Sequence, residues 1–163
     1  SMGWPLSDET KGGSFLYHFD KNLVSIGYVI HLNYTNPYVS PFDEFQQFKT
    51  HPSVKKVLKG GKRISYGARA ITTGGYQSVP KLYFPGGAII GCSAGFLNYP
   101  KIKGTHNAME SGMLAAEAII DNYISNNQEN DLTNYQEKYE NSRIAKELQR
   151  VRNIKPYQAR YPI

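Results

Sequence analysis

The sequence predicts an α+β fold, with antiparallel or mixed β pairing early in the chain and helices alongside and after it. Three observations lead there. Apolar β-formers fill Phe15 to Phe19 and Leu23 to Leu32 on either side of Asp20-Lys21-Asn22, the pattern of two strands joined by a tight turn. Aromatic residues then recur at Phe42, Phe45 and Phe48 between Pro41 and Pro52, a helical period bounded by helix-breaking residues. Finally, an apolar strand from Ala88 to Cys92 passes through glycine-rich turns into a run of small helix formers from Thr105 to Ile124.

Taken in order, the first two strands make a hairpin. Asn36-Pro37 and Ser40-Pro41 end it, and Ser40 as N-cap with Pro41 as first residue starts a short amphipathic helix that stops before Pro52. Its aromatic stripe is expected in the core. A helical turn from Val54 to Leu58 is closed by Gly60-Gly61. Arg63 to Ile71 and Gln77 to Tyr83 read as strands on either side of Gly74-Gly75, and Ala88 to Cys92 as a buried one. The helix from Thr105, read as its N-cap, to Ile124 has a face of Ala108, Gly112, Ala115 and Ala116, with Ser111 alongside. That face is small enough to lie close against a sheet or a ligand. Ser125 to Asn130 reads as a polar loop and Leu132 to Arg150 as one charged helix. On it Glu140, Arg143, Glu147 and Arg150 are spaced for pairs within the helix, on a face expected to be solvated. The tail from Asn153 is expected to be extended.

Composition narrows the class. A chain of 163 residues can bury one sizeable core. With 40% hydrophobic and 20% charged residues it has the make-up of a folded protein. Its net charge of +6 invites an anionic partner. The 19 Lys and Arg are dispersed, without a basic run or an RNA-binding or zinc signature, so nucleic acid is set aside. Peripheral contact with an anionic membrane surface remains, at about 1 kcal/mol for each basic residue near it. No segment offers the roughly 20 consecutive apolar residues of a membrane span, and no signal peptide is recognisable. The single Cys92 excludes an internal disulfide and reads as a packed small residue. His18, His31, His51 and His106 lack metal-ligand spacing, and no hydrolytic constellation is apparent.

The stretch from Gly91 to Gly112, GCSAGFLNYPKIKGTHNAMESG, carries the most chemistry. Glycine, alanine and serine let a backbone approach a ligand that larger side chains would hold away. The first acidic residue of the following helix is Glu110, so no carboxylate neutralises the positive end of the dipole in its first turn. With Lys101 and Lys103 just upstream, that end suits an electron-rich ligand edge such as the N1–C2=O side of a flavin. On local chemistry alone, generic strand-turn-helix packing accounts for the pattern equally well.

Longer runs match a family. Phe84 to Gly95 (FPGGAIIGCSAG) and Gly91 to Glu117 resemble the C-terminal flavin-contacting segment of the electron transfer flavoprotein–ubiquinone oxidoreductase family. GWPL at Gly3 to Leu6, GGSFLYH at Gly12 to His18, NPYVSPFDEFQQFKTHP at Asn36 to Pro52, YGARA at Tyr66 to Ala70 and VRNIKP at Val151 to Pro156 resemble it in the same order. The resemblance implies a ubiquinone-binding β-rich region over 1–83. It implies the returning C-terminal part of a glutathione-reductase-like FAD domain over 84–126, and a helix and tail leading toward an iron-sulfur region over 127–163.

It also implies sites. Backbone at Gly91, Cys92, Ser93 and Ala94 would approach the ribityl chain of FAD, while Gly104, Thr105 and His106 would face the isoalloxazine. Thr105 is the principal candidate, because its hydroxyl can hydrogen-bond the flavin and tune its potential. Gly12 and Gly13 would lie against the ubiquinone head group, with Phe15 flanking the ring. Their alternative is a plain turn before a strand, and Lys11 stands where the family usually has Tyr. Related flavoproteins commonly have Asp in place of Cys92. The implied activity is an oxidoreductase at the mitochondrial inner membrane, or a bacterial one, passing electrons from electron transfer flavoprotein to ubiquinone. The family's GxGxxG dinucleotide turn is absent here, and its [4Fe-4S] cluster needs four thiolates where this chain has one. The chain is therefore expected to be an internal fragment that binds FAD poorly by itself. Two other readings are a geranylgeranyl-reductase-like flavoprotein and a basic membrane or interaction module without redox chemistry.

Overall fold

The structure, a computed structural model, describes residues 4–7, 9–125 and 131–161. The chain forms two compact units, Ser1–Tyr66 and Gly67–Ile163.

The first unit is a hairpin with two helices. Strands β1 (Gly12–Phe19) and β2 (Leu23–Ile30) pair antiparallel, from Gly12 opposite Ile30 to Phe19 opposite Leu23. The expected turn is closed by that last pair; within it Asp20 takes a left-handed φ of 51° and its Oδ1 accepts from the Lys21 amide at 2.8 Å. The ladder starts at Gly12, three residues before the apolar run begins, and β2 ends at Ile30 rather than Leu32. Helix α1 (Pro41–Lys49) starts as expected, with the Asp43 amide donating to Ser40 Oγ at 3.3 Å. Helix α2 (Pro52–Leu58) is capped by His51.

The aromatic stripe of α1 is only partly core. Phe48 is buried and meets Tyr28 of β2 with ring centroids 5.2 Å apart, whereas Phe42 is 68% exposed. At about 100° per residue, positions six apart diverge by about 120° around the axis, so one flat hairpin face cannot take both.

Residues 63–71 are irregular and exposed instead of forming a strand. Among the described residues no neighbouring strand offers them a ladder. In the second unit the expected strand from Gln77 to Tyr83 is replaced by a 3-10 turn at Tyr76–Ser78 and a minimal hairpin. Its strands, β3 (Tyr83–Phe84) and β4 (Gly87–Ala88), are antiparallel. Mixed pairing, the other expectation, does not occur among the described strands. The buried strand to Cys92 is likewise shortened, and Gly91–Ala94 is a 3-10 turn closed by Gly95 at φ 83°.

Helix α3 spans Thr105–Ile124 as predicted. Gly104 occupies the cap position, and Thr105 is the first helical residue rather than the cap. The predicted single charged helix is two, α4 (Thr133–Asn141) and α5 (Arg143–Val151). They break at Ser142, which is extended at ψ 169° and caps the Ala145 amide at 3.3 Å. The tail expected to be extended is a helix, α6 (Ile154–Arg160). Lys155 on α6 donates to Thr73 O at 2.9 Å, and Gln77 Nε2 donates to Arg152 O at 2.9 Å, so the C-terminal segment holds the irregular chain before the hairpin. The loop expected at 125–130 lies outside the described residues beyond Ser125.

The core of this unit gathers Leu82, Phe96, Ala118, Tyr135, Ile144 and Leu148, all at 1% exposure or less. Phe96 stacks on Tyr139 at 4.9 Å between centroids. Burial pushes the hydroxyls of both Tyr135 and Tyr139 up to about 12. They differ in what they bond. Tyr135 donates to Ile89 O at 3.1 Å, whereas the Tyr139 hydroxyl has no partner among the described residues. Tyr135→Phe is therefore expected to cost about 1 kcal/mol in denaturant unfolding, and Tyr139→Phe to be neutral or stabilising.

Candidate functional sites

In the first unit, Gly12 is set by the hairpin itself. A Cβ there would run into the Val29 carbonyl and come within 2.6 Å of Leu6 Cδ1. Gly13, directly opposite Val29, starts the other face of the strand. Alternation puts Gly13, Phe15, Tyr17 and Phe19 on that one face, and the three aromatics and Val29 are all exposed. The Phe15 ring lies over Gly27, its cross-strand partner, where any Cβ would collide with it. Phe15 and Tyr17 hold their rings 5.6 Å apart. One face of the hairpin thus packs on α1 through Tyr28, and the other presents an apolar surface of the kind that marks an interaction site.

In the second unit, Gly91 is buried at φ 60°, a region that favours glycine. Its amide donates to Ser111 Oγ at 2.9 Å, and an added Cβ would stand 3.3 Å from Ala108 Cβ. This amide is turned onto α3 and is not a donor for a ligand. Cys92 is half-buried, Ser93 exposed and Ala94 buried. Gly104 packs so tightly on Leu97 that a Cβ would lie 3.1 Å from Leu97 Cδ1. Thr105 is exposed at the start of α3 and His106 follows it.

The start of α3 retains donors. The Ala108 amide reaches Gly104 O at 2.8 Å, while among the described residues nothing accepts from the amides of Thr105, His106 and Asn107. No acidic residue lies in the first turn, as expected. Asn107 is fully buried, and its Nδ2 donates to Phe96 O at 2.9 Å. Its Oδ1 is buried without a partner among the described residues. Unpaired amides at the start of a helix are the donors that an electron-rich ligand edge would match.

A cluster that the sequence did not reveal stands behind this end. Glu147 was expected on a solvated face, yet its side chain is 16% exposed and accepts from Asn98 Nδ2 at 2.6 Å and His106 Nε2 at 3.1 Å, with Lys101 Nζ at 3.5 Å. Arg143 likewise leaves its own helix and donates to Glu110 of α3 at 2.7 Å. Burial pushes the Glu147 carboxyl up, but the hydrogen bonds from Asn98 and His106 and the charges of His106 and Lys101 outweigh it. The result lies below the ordinary carboxyl range. A depressed folded value means the contact stabilises the fold above the ordinary carboxyl range and loses that stabilisation as pH falls through the lowered value. Unfolding followed from pH 7 into that range should therefore show an acid-side loss of stability that is reduced in Glu147→Gln.

Among the described residues no helix is long and apolar enough to cross a membrane, and no group of His, Cys, Asp and Glu could hold a metal ion.

Residues 1–71 match the family model described as ETF-QO, ubiquinone-binding. The mitochondrial electron transfer flavoprotein-ubiquinone oxidoreductases of Sus scrofa and Homo sapiens are each 55% identical over 163 residues, and that of Caenorhabditis elegans is 52% identical over 162. These matches cover 96% of this chain and 26% or 27% of the relatives, so the chain spans about a quarter of their length. Over nearly its whole length the chain is thus similar, with more than half of its residues identical, to a segment of electron transfer flavoprotein-ubiquinone oxidoreductases.

Proposed function

We propose that this chain is the quinone-facing region, together with the returning flavin-contacting part, of a larger oxidoreductase that passes electrons from electron transfer flavoprotein to ubiquinone. Residues 1–83 would supply the quinone region, 84–126 the C-terminal part of a glutathione-reductase-like FAD domain, and 127–163 the approach to an iron-sulfur region. The observation that carries the reading is the exposed aromatic face beginning at Gly13, within the residues that match a ubiquinone-binding model. Bare backbone at Gly13 lets a polar main-chain group approach a quinone oxygen, and Phe15 supplies an apolar flank. Gly12 supports the reading indirectly, by holding the edge of the hairpin closed.

Flavin fits the second unit on the polarity at the start of α3. There the hydroxyl of Thr105, the free first-turn amides and His106 would hold the ring, with Cys92 and Ser93 toward the ribityl chain. When bound, FAD supplies the electron-carrying chemistry, and these residues orient it and set its potential. Gly91 serves by packing rather than by contact. A [4Fe-4S] cluster does not fit this chain, whose one cysteine cannot ligate it, so any cluster belongs to other parts of the enzyme. The relatives are named as mitochondrial. A peripheral place on the inner membrane suits the apolar face and the net charge of +6, the bacterial inner membrane being the prokaryotic counterpart.

The reading is tested in the full-length oxidoreductase that carries this segment. Gly13→Val is expected to raise KM for a soluble ubiquinone analogue several-fold while leaving flavin reduction by electron transfer flavoprotein unchanged. An unchanged quinone KM would refute the quinone assignment. The isolated chain is expected to purify without bound FAD, and a stoichiometric yellow complex would contradict the division of the FAD domain proposed here.

A further inference from the structure

Glu147 gathers donors from one short stretch of chain. Asn98, fully buried, donates to it through Nδ2 at 2.6 Å and accepts the Lys101 amide through Oδ1 at 3.3 Å. The backbone of Asn98 pairs with Lys103 in both directions, at 2.9 and 3.3 Å, and Ile102 turns the loop at φ 54°. The carboxylate, reaching across from α5, therefore holds the base of the loop through Asn98, its tip through Lys101 and the first turn of α3 through His106. A carboxylate accepts, so the bonded Nε2 of His106 carries the hydrogen.

We propose that Glu147 is a positioning residue for the cofactor-facing segment: by accepting from Asn98, Lys101 and His106 it fixes residues 98–106 and holds the His106 ring through its Nε2–H. Glu147 itself touches no ligand. It acts by fixing where the free amides of Thr105, His106 and Asn107 stand. Glu110, the other carboxylate one turn along α3, is held by Arg143 and does not compete for the imidazole. The inference rests on the flavin reading given above.

The experiment measures the FAD midpoint potential and FAD content of the full-length holoenzyme carrying Glu147→Ala, Glu147→Gln or Thr105→Ala. Glu147→Ala should lower the potential, because loosened amides stabilise the charge gained on reduction less well. Glu147→Gln keeps an oxygen that accepts from Asn98 and His106, and should restore the wild-type value. An unchanged potential in Glu147→Ala at full FAD content would overturn the proposal, as would a Glu147→Gln potential displaced as far as that of the alanine variant. If Glu147→Ala loses FAD, Glu147→Gln decides: wild-type potential and content support the role, and loss of FAD there overturns it. A shift in Thr105→Ala without one in Glu147→Ala removes the role and leaves the flavin reading standing. No shift in either variant removes the flavin reading itself.

Discussion

The second unit depends on the close approach of Gly91 to helix α3. With no side chain at Gly91 the backbone comes against Ala108, and its amide is satisfied by Ser111 from one helical turn further on. Asn107 makes the complementary bond to Phe96 O, so two polar side chains on the inner face of α3 replace the ladder partner that a strand would have had. The Gly91–Ala94 turn can then lie against a helix instead of within a sheet, and Gly95 in its left-handed conformation sends Phe96 into the core against Tyr139. A buried backbone must find its hydrogen bonds somewhere, and small residues on the helix let it find them there.

What the sequence made legible was local. The hairpin, the Ser40 cap and the extent of α3 follow from alternation, capping chemistry and runs of small residues, each contained within a few neighbouring positions. Illegible features depended on distant partners. Arg63 to Ile71 has the residues of a strand but, among the described residues, no neighbour to pair with. Nothing local to Ser142 outweighed the helix formers on both sides, yet its hydroxyl bonds Tyr139 O at 2.6 Å and caps the next helix. Glu147 looked like one more charge on a solvated face because its partners lie about forty or more positions earlier, at Asn98, Lys101 and His106. The glycines of the candidate sites were expected to let the backbone approach a ligand. At Gly12 and Gly91, however, the approaching group is the protein's own.

The two units distribute polarity differently. In the second, buried side-chain atoms without a partner among the described residues occur at Asn107, Asp131, Asn134 and Tyr139. The first leaves a broad apolar surface uncovered.

The seating of Phe15 on Gly27 has a consequence for surface texture. A ring lying on bare backbone adds its own thickness and nothing more, so the outer side of the hairpin is smooth at that level and becomes ridged only toward Tyr17 and Phe19. A planar molecule could rest on the smooth part by dispersion alone, with freedom to slide and turn. A flexible chain would be caught by the ridges beyond.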